Sequence, residues 1–203
     1  THTVLSEVDL SNPAKPAVRR TMTLLGSYVS ARKVGHVVRV VVQSRPTAAT
    51  SVAEAASPSA VSAAARAYVP LTTLASRVTG RSYRRSVVPC RALRRPDQYA
   101  GLGLTSVLTV DLRDGLQNVD RDAVLADADT VYASTGALWV ATRRYVPSLA
   151  SAEQLPDRPV TELHRFAAGD GGETTYSGSA TVRGGVLNQF SMGEDGEDLR
   201  LAT

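Results

Sequence analysis

Six arginines crowd fifteen residues of this chain: Arg81, Arg84, Arg85, Arg91, Arg94 and Arg95, with Tyr83 and Cys90 among them. Guanidinium groups at this density suit oxyanions, because each planar fork matches a phosphate or carboxylate with paired N–H donors. Arg84, Arg85, Arg91, Arg94 and Arg95 are therefore the candidates for binding a polyanion such as a teichoic acid, a phospholipid head group or a nucleic acid. Two facts weigh on the other side. Only Lys15 and Lys33 among the 23 basic residues are lysines, so arginine excess is a habit of the whole chain and a solvated connector is the simpler reading. Aromatic residues make up 5%, too few for a stacking platform, so no nucleic acid is expected.

Other chemistry is sparse. His2, His36 and His164 are the only histidines, and none has a metal-ligand spacing. His36 falls in a turn and is expected to be solvated; His164 falls in a strand and is expected to be packed rather than to act as a base. Ser177-Gly178-Ser179 lacks the flanking pattern of a nucleophile elbow. Asp111 with Asp114, Asp127 with Asp129, and Glu194-Asp195 with Glu197-Asp198 match no calcium loop and read as solvated acidic turns. No catalytic residue, metal ligand or cofactor is expected. Cys90 is the only cysteine, so no disulfide closes within these residues. It is expected to be a small buried side chain, with pairing outside the segment as the alternative.

Charge is distributed unevenly. Residues 1–102 carry a net +11, residues 103–150 a net −2 and residues 151–203 a net −5. A basic side of this kind steers anionic partners without specifying one. No apolar run reaches the length of a membrane-spanning helix.

The elements that must position these residues repeat one grammar. Residues 4–42 read as strand (VLSEVDL), Asn-Pro loop, strand (AVRRTMTL), strand (YVSARK), Gly turn and strand (VVRVVV). Residues 105–142 repeat it with TSVLTVDL, an Asp-Gly loop, VDRDAVL, TVYAS and ALWVAT; residues 160–203 repeat it with VTELHRF, TTYSGSATV, VLNQFSM and LRLAT. Strands are assigned from period-2 alternation and β-branched content, with Gly35, Gly136, Gly193 and Gly196 expected in the turns. A unit of about four short strands, repeated, predicts a radial array of small antiparallel sheets. Residues 45–102 break the rhythm. Ser57-Pro58 predicts a helix start, Val61, Ala64, Ala65 and Tyr68 recur at helical spacing, and Leu71, Leu74, Ala75 and Val78 predict a second short helix closed by Gly80. The expected fold is thus all-β, a β-propeller portion with a short α-helical insertion at about 51–80.

The runs "VLSEVDLSNPAKP", "GSYVSARKVGHVVRVVVQS", "VPCRALRRPDQYAGLGLTSVLTVDL", "DTVYASTGALWVATRR", "TELHRF" and "VLNQFSMGEDGEDLRLAT" resemble secreted bacterial, largely actinobacterial, proteins whose C-terminal β-propeller domain is distantly related to WD40 repeats. The likeness covers nearly the whole chain and is weakest over residues 46–80. It implies a propeller, export to the cell surface or medium, and no established activity. No family residue roles carry over. The Trp-Asp mark of WD40 blades is missing, and Trp139 is the only tryptophan. Set on that pattern, residues 1–27 would be half a blade, 28–125 a blade holding the insert 45–102, 130–182 a blade and 186–203 another half, with the remaining blades of a larger propeller as partners. The function expected is a non-enzymatic, extracellular or envelope-associated binding or scaffold module. The alternative is a hydrolase or lyase acting on an extracellular glycan at the propeller's centre, which would need Asp, Glu and His side chains to converge in a concave pocket.

Overall fold

Two consecutive residues of a strand point to opposite faces, so a strand buried at nearly every position must be covered on both sides. Val37–Ser44 and Leu104–Asp111 are such strands, and their sheet is sandwiched between two others. The computed structural model describes residues 1–45, 68–98, 100–144, 159–169, 172–196 and 198–203. These form β1 (His2–Asp9), β2 (Ala17–Leu25), β3 (Ser27–Val34), β4 (Val37–Ser44), β5 (Leu71–Ser76), β6 (Ser82–Ser86), β7 (Leu93–Arg94), β8 (Leu104–Asp111), β9 (Val119–Val124), β10 (Thr130–Ala133), β11 (Ala137–Arg144), β12 (Val160–Ala168), β13 (Thr174–Arg183), β14 (Met192–Asp195) and β15 (Asp198–Leu201).

The first sheet has the order β1-β2-β5-β6, the second β3-β4-β8-β9-β7 and the third β10-β11-β12-β13, with β14-β15 as a two-stranded fourth. Neighbours are antiparallel, except that the short β7 runs parallel to β9. Burial alternates as the stacking requires. Met22 and Leu24 of β2 pack with Val40, Val42, Leu108 and Ala123 of the second sheet. The other face of that sheet, through Val41, Val107 and Val124, meets Val131, Leu138, Val140 and Phe166 of the third. Ala141 and Leu163, on the far face of the third sheet, pack with Met192, Leu199 and Leu201 of the fourth. Along the second contact β3 lies beside β10 and β9 beside β13, so the two sheets stack in the same strand order.

The insertion departs from expectation. The spacing of Leu71, Leu74, Ala75 and Val78 predicts a helix, but Leu71–Ser76 is β5, hairpinned to β6 through a turn in which Gly80 has φ +66°. The reason lies in β2. Its edge opposite β1 needs a hydrogen-bonding partner, and β5 supplies it from Arg20↔Ser76 to Leu24↔Thr72. Thr72 and Thr73 are β-branched and favour the extended form, and Thr72 is fully buried. Residues 1–27, expected as half a blade, are thereby part of a four-stranded sheet completed by the insert. The helix expected from Ser57 lies outside the described residues up to 67.

Smaller corrections follow from local geometry. Gly193 is inside β14, opposite Arg200, and the turn falls at Gly196 with φ +63°. Of the run VLNQFSM, Gln189–Ser191 is a 3-10 turn and only Met192 enters a strand, because the Asn188 side chain accepts the Phe190 N–H and starts the turn there. Cys90 is exposed, not buried, at the start of the 3-10 turn Cys90–Ala92. The connector between β6 and β7 buries Val87 and Val88 just before it instead.

Candidate functional site

The arginine run is spread over three short elements. Every residue of β6 is exposed, and β6 is an edge strand paired only with β5. Alternation sends Arg84 and Arg85 to opposite faces. Arg84 borders the cleft of His2, Thr23, Leu25, Leu71 and Thr73 on the uncovered face of the first sheet. Arg85 turns toward the second sheet, where it lines a cleft of about 370 Å³ with Ser86, Pro89, Arg91, Val119, Asp120 and Arg121. Arg91 sits in the 3-10 turn, and its carbonyl accepts a hydrogen bond from Arg94 Nη1 at 2.7 Å. Arg94 belongs to β7, and Arg95 is exposed just beyond it. The structure therefore brings Arg85 and Arg91 to one cleft, holds Arg94 against the backbone behind it, and leaves Arg84 and Arg95 outside.

Partnering separates these arginines from several others. Arg19, Arg20, Arg113, Arg144 and Arg200 each lie beside a carboxylate. Among the described residues none of Arg81, Arg84, Arg85, Arg91, Arg95 and Arg121 does, and Arg94 forms no direct ion pair although its charge reaches the Asp122 carboxylate. A solvated connector accounts for exposed unpaired cations, but it does not account for Arg121. That side chain is 9% exposed, on the β9 face that carries Val119 and Ala123 toward the first sheet, and its Nε has no hydrogen-bond partner. Sequence reading passed over Arg121 because it lies in a different strand, flanked by Asp120 and Asp122. The visible signal was an arginine at an inward position between two apolar ones.

Acidic residues serve as local partners. Asp111 binds Arg113, with Nη2 to Oδ2 at 2.6 Å, and this pairing holds its carboxyl down at about 2. Asp127 accepts from Gln43, Asp129 from the Arg143 N–H, and Glu194 from the Trp139 indole. Among the described residues no group of three His, Cys, Asp or Glu side chains is placed to hold a metal ion.

A second polar cluster is sealed between the second and third sheets. Glu162, His164 and Phe166 share one face of β12; Glu162 is 1% exposed and His164 fully buried. Glu162 Oε2 accepts from Thr181 Oγ1 at 2.8 Å, and Oε1 lies 3.3 Å from Arg144 Nη1, outside hydrogen-bond geometry. His164 Nδ1 lies 3.4 Å from the Tyr176 hydroxyl, and its Nε2 is unpartnered. Tyr176 meets Phe166 edge-on at 5.3 Å. Neither Glu162 nor His164 lines the arginine cleft, and His164 is a packed core histidine.

Burial pushes two groups of this interface in opposite directions. Desolvation first, and then the charge of Asp120, raise the Asp122 carboxyl to about 6 from 3.8. Desolvation lowers His164 to about 4 from 6.5. The folded protein thus takes up a proton at Asp122 before the unfolded chain does, which adds stability as pH falls from 6 to 3.8. At His164 the unfolded chain protonates first, which removes stability as pH falls from 6.5 to 4. Each effect is worth about 3 kcal/mol, so they nearly cancel. Denaturant midpoints across this range are expected to fall steeply with acid in Asp122→Asn and to rise in His164→Gln; parallel curves for the two variants would contradict the assignment.

Stacked four-stranded antiparallel sheets, each covering the next, are the construction of a propeller. The family described as "Beta propeller domain" matches residues 1–203, the whole chain. The chain belongs to that family. No curated protein matches it in sequence. In the β-propeller domain the arginine cleft lies at the junction of the first and second sheets, on the side where β6, β7 and β9 form the margin.

Proposed function

We propose that this β-propeller domain is a non-enzymatic binding and scaffold module, extracellular or attached to the cell envelope, whose ligand-bearing side takes an anionic envelope polymer. The observation that carries the reading is the set of arginines on β6 and the 3-10 turn that have no carboxylate partner among the described residues while Arg19, Arg20, Arg113 and Arg144 are paired. Export is supported by the resemblance to secreted bacterial propeller proteins. The glycan hydrolase or lyase alternative has no supporting observation, since the buried carboxylates and histidine sit between sheets rather than around a cleft. Val4, Val18, Leu25 and Leu71 on the uncovered face of the first sheet support further blades of a larger propeller as its cover.

Binding of poly(glycerol phosphate) and of neutral dextran, measured at about 50 mM and about 200 mM salt, tests the reading. The phosphate polymer is expected to bind and to weaken with salt, dextran not to bind, and Arg84→Gln/Arg85→Gln/Arg95→Gln to lose about tenfold in affinity. No polymer binding at the lower salt, or full affinity in the triple variant, would refute it.

A further inference from the structure

A buried cation without a counter-charge costs several kcal/mol in a folded protein, so an arginine in that condition points to a missing anion. Arg121 is in that condition: nine-tenths buried, its Nε unpaired, with no carboxylate partner among the described residues. It lines a cleft of about 370 Å³ together with Arg85 of β6 and Arg91 of the 3-10 turn. The one acidic residue there, Asp120, is exposed, and its Oδ2 accepts the Thr174 N–H at 2.9 Å, which draws the carboxylate toward the third sheet. Pro89 and Val119 supply apolar walls.

We infer that Arg121, Arg85 and Arg91 form a discrete site for one phosphate group, with Arg121 as its floor. Three arginines lining one cleft match the charge and the several acceptor oxygens of a phosphate ester better than a single carboxylate. The cleft has room for the small unit that bears the phosphate, and a partly desolvated floor makes each ion pair stronger than on the open surface. This site rests on the reading of the arginine side as the ligand-bearing one, but it differs in kind: it is a shaped site, whereas diffuse attraction needs only the exposed arginines.

Thermal unfolding in orthophosphate, in glycerol phosphate and in sodium chloride of equal ionic strength tests it, on wild type, Arg121→Met, Arg91→Gln and Arg183→Gln. In wild type and Arg183→Gln, phosphate is expected to raise Tm saturably, by about 5 °C at a hundredfold excess over Kd, with chloride inert. A larger response to glycerol phosphate than to orthophosphate identifies an ester as the natural source; the reverse identifies free phosphate. Arg121→Met is expected to melt no lower than wild type in phosphate-free buffer, because it removes an unpaired buried charge, and to ignore phosphate. Should Arg121→Met fail to fold, Arg91→Gln carries the test, with the phosphate response shifted about tenfold to higher concentration. A phosphate response equal in wild type and Arg121→Met, or none in wild type, overturns the site. Polymer binding without a phosphate response sinks this site and spares the proposed function; a phosphate response without polymer binding does the reverse.

Discussion

Phe166→Ala is expected to destabilise the domain by about 3–5 kcal/mol, the range for emptying a fully buried aromatic position. Phe166 is 0% exposed at the centre of the contact between the second and third sheets, among Val41, Val107, Val124, Leu138 and Val140. Its ring also meets Tyr176 edge-on, an arrangement worth a further increment beyond area alone. Both partners are held by paired strands, so the cavity cannot easily collapse. Guanidinium unfolding of Phe166→Ala beside Phe190→Ala is the measurement. Phe190 is 87% exposed in its turn, and its loss is expected to cost under about 0.5 kcal/mol. Similar costs for the two would mean that the second and third sheets do not stack as described.

The second large effect belongs to the ion pair of Glu162, which is buried, with Arg144, whose side chain is 21% exposed. Arg144→Met is expected to cost about 3 kcal/mol, because it strands the Glu162 carboxylate with only the Thr181 hydroxyl to satisfy it. Arg144 also donates to Gln98 at 3.1 Å, so part of the loss falls on the loop before β8. Arg144→Met/Glu162→Leu is expected to recover most of the stability, since removing both charges also removes the desolvation cost of each. A double-mutant cycle in chemical denaturation measures the coupling. A double variant as unstable as the sum of the singles would show that the pair is not a unit.

These two sites illustrate what residue pattern alone conveys. The runs VVRVVV and TSVLTVDL announced strands, and Val37–Ser44 and Leu104–Asp111 are strands buried on both faces. The repeat of strand, turn and strand announced small antiparallel sheets. Periodicity failed over Leu71–Val78: a spacing of three puts Leu71 and Leu74 on one face of a helix, whereas β5 turns them to opposite faces, Leu71 exposed and Leu74 partly buried. What decided that segment was the open edge of β2, a tertiary demand invisible in the local sequence. The arginine run was conspicuous, but its division was not: Arg84 and Arg85 are neighbours in sequence and lie on opposite faces of β6. Arg121 escaped notice for the converse reason, being brought beneath the run only by the packing of the first sheet on the second. Cys90 was misplaced because composition favours burial of a free thiol, while the turn that carries it turns outward after Val87 and Val88 have filled the core.

Arginine Nε–Hε resonances followed by NMR during titration with glycerol phosphate bear most directly on the anion site. The Arg121 Nε–H, buried and unpartnered in the free domain, is expected to move furthest and to saturate, with Arg85 and Arg91 moving in step and Arg200 still. Small unsaturated shifts spread evenly over every exposed arginine, with Arg121 unmoved, would contradict it.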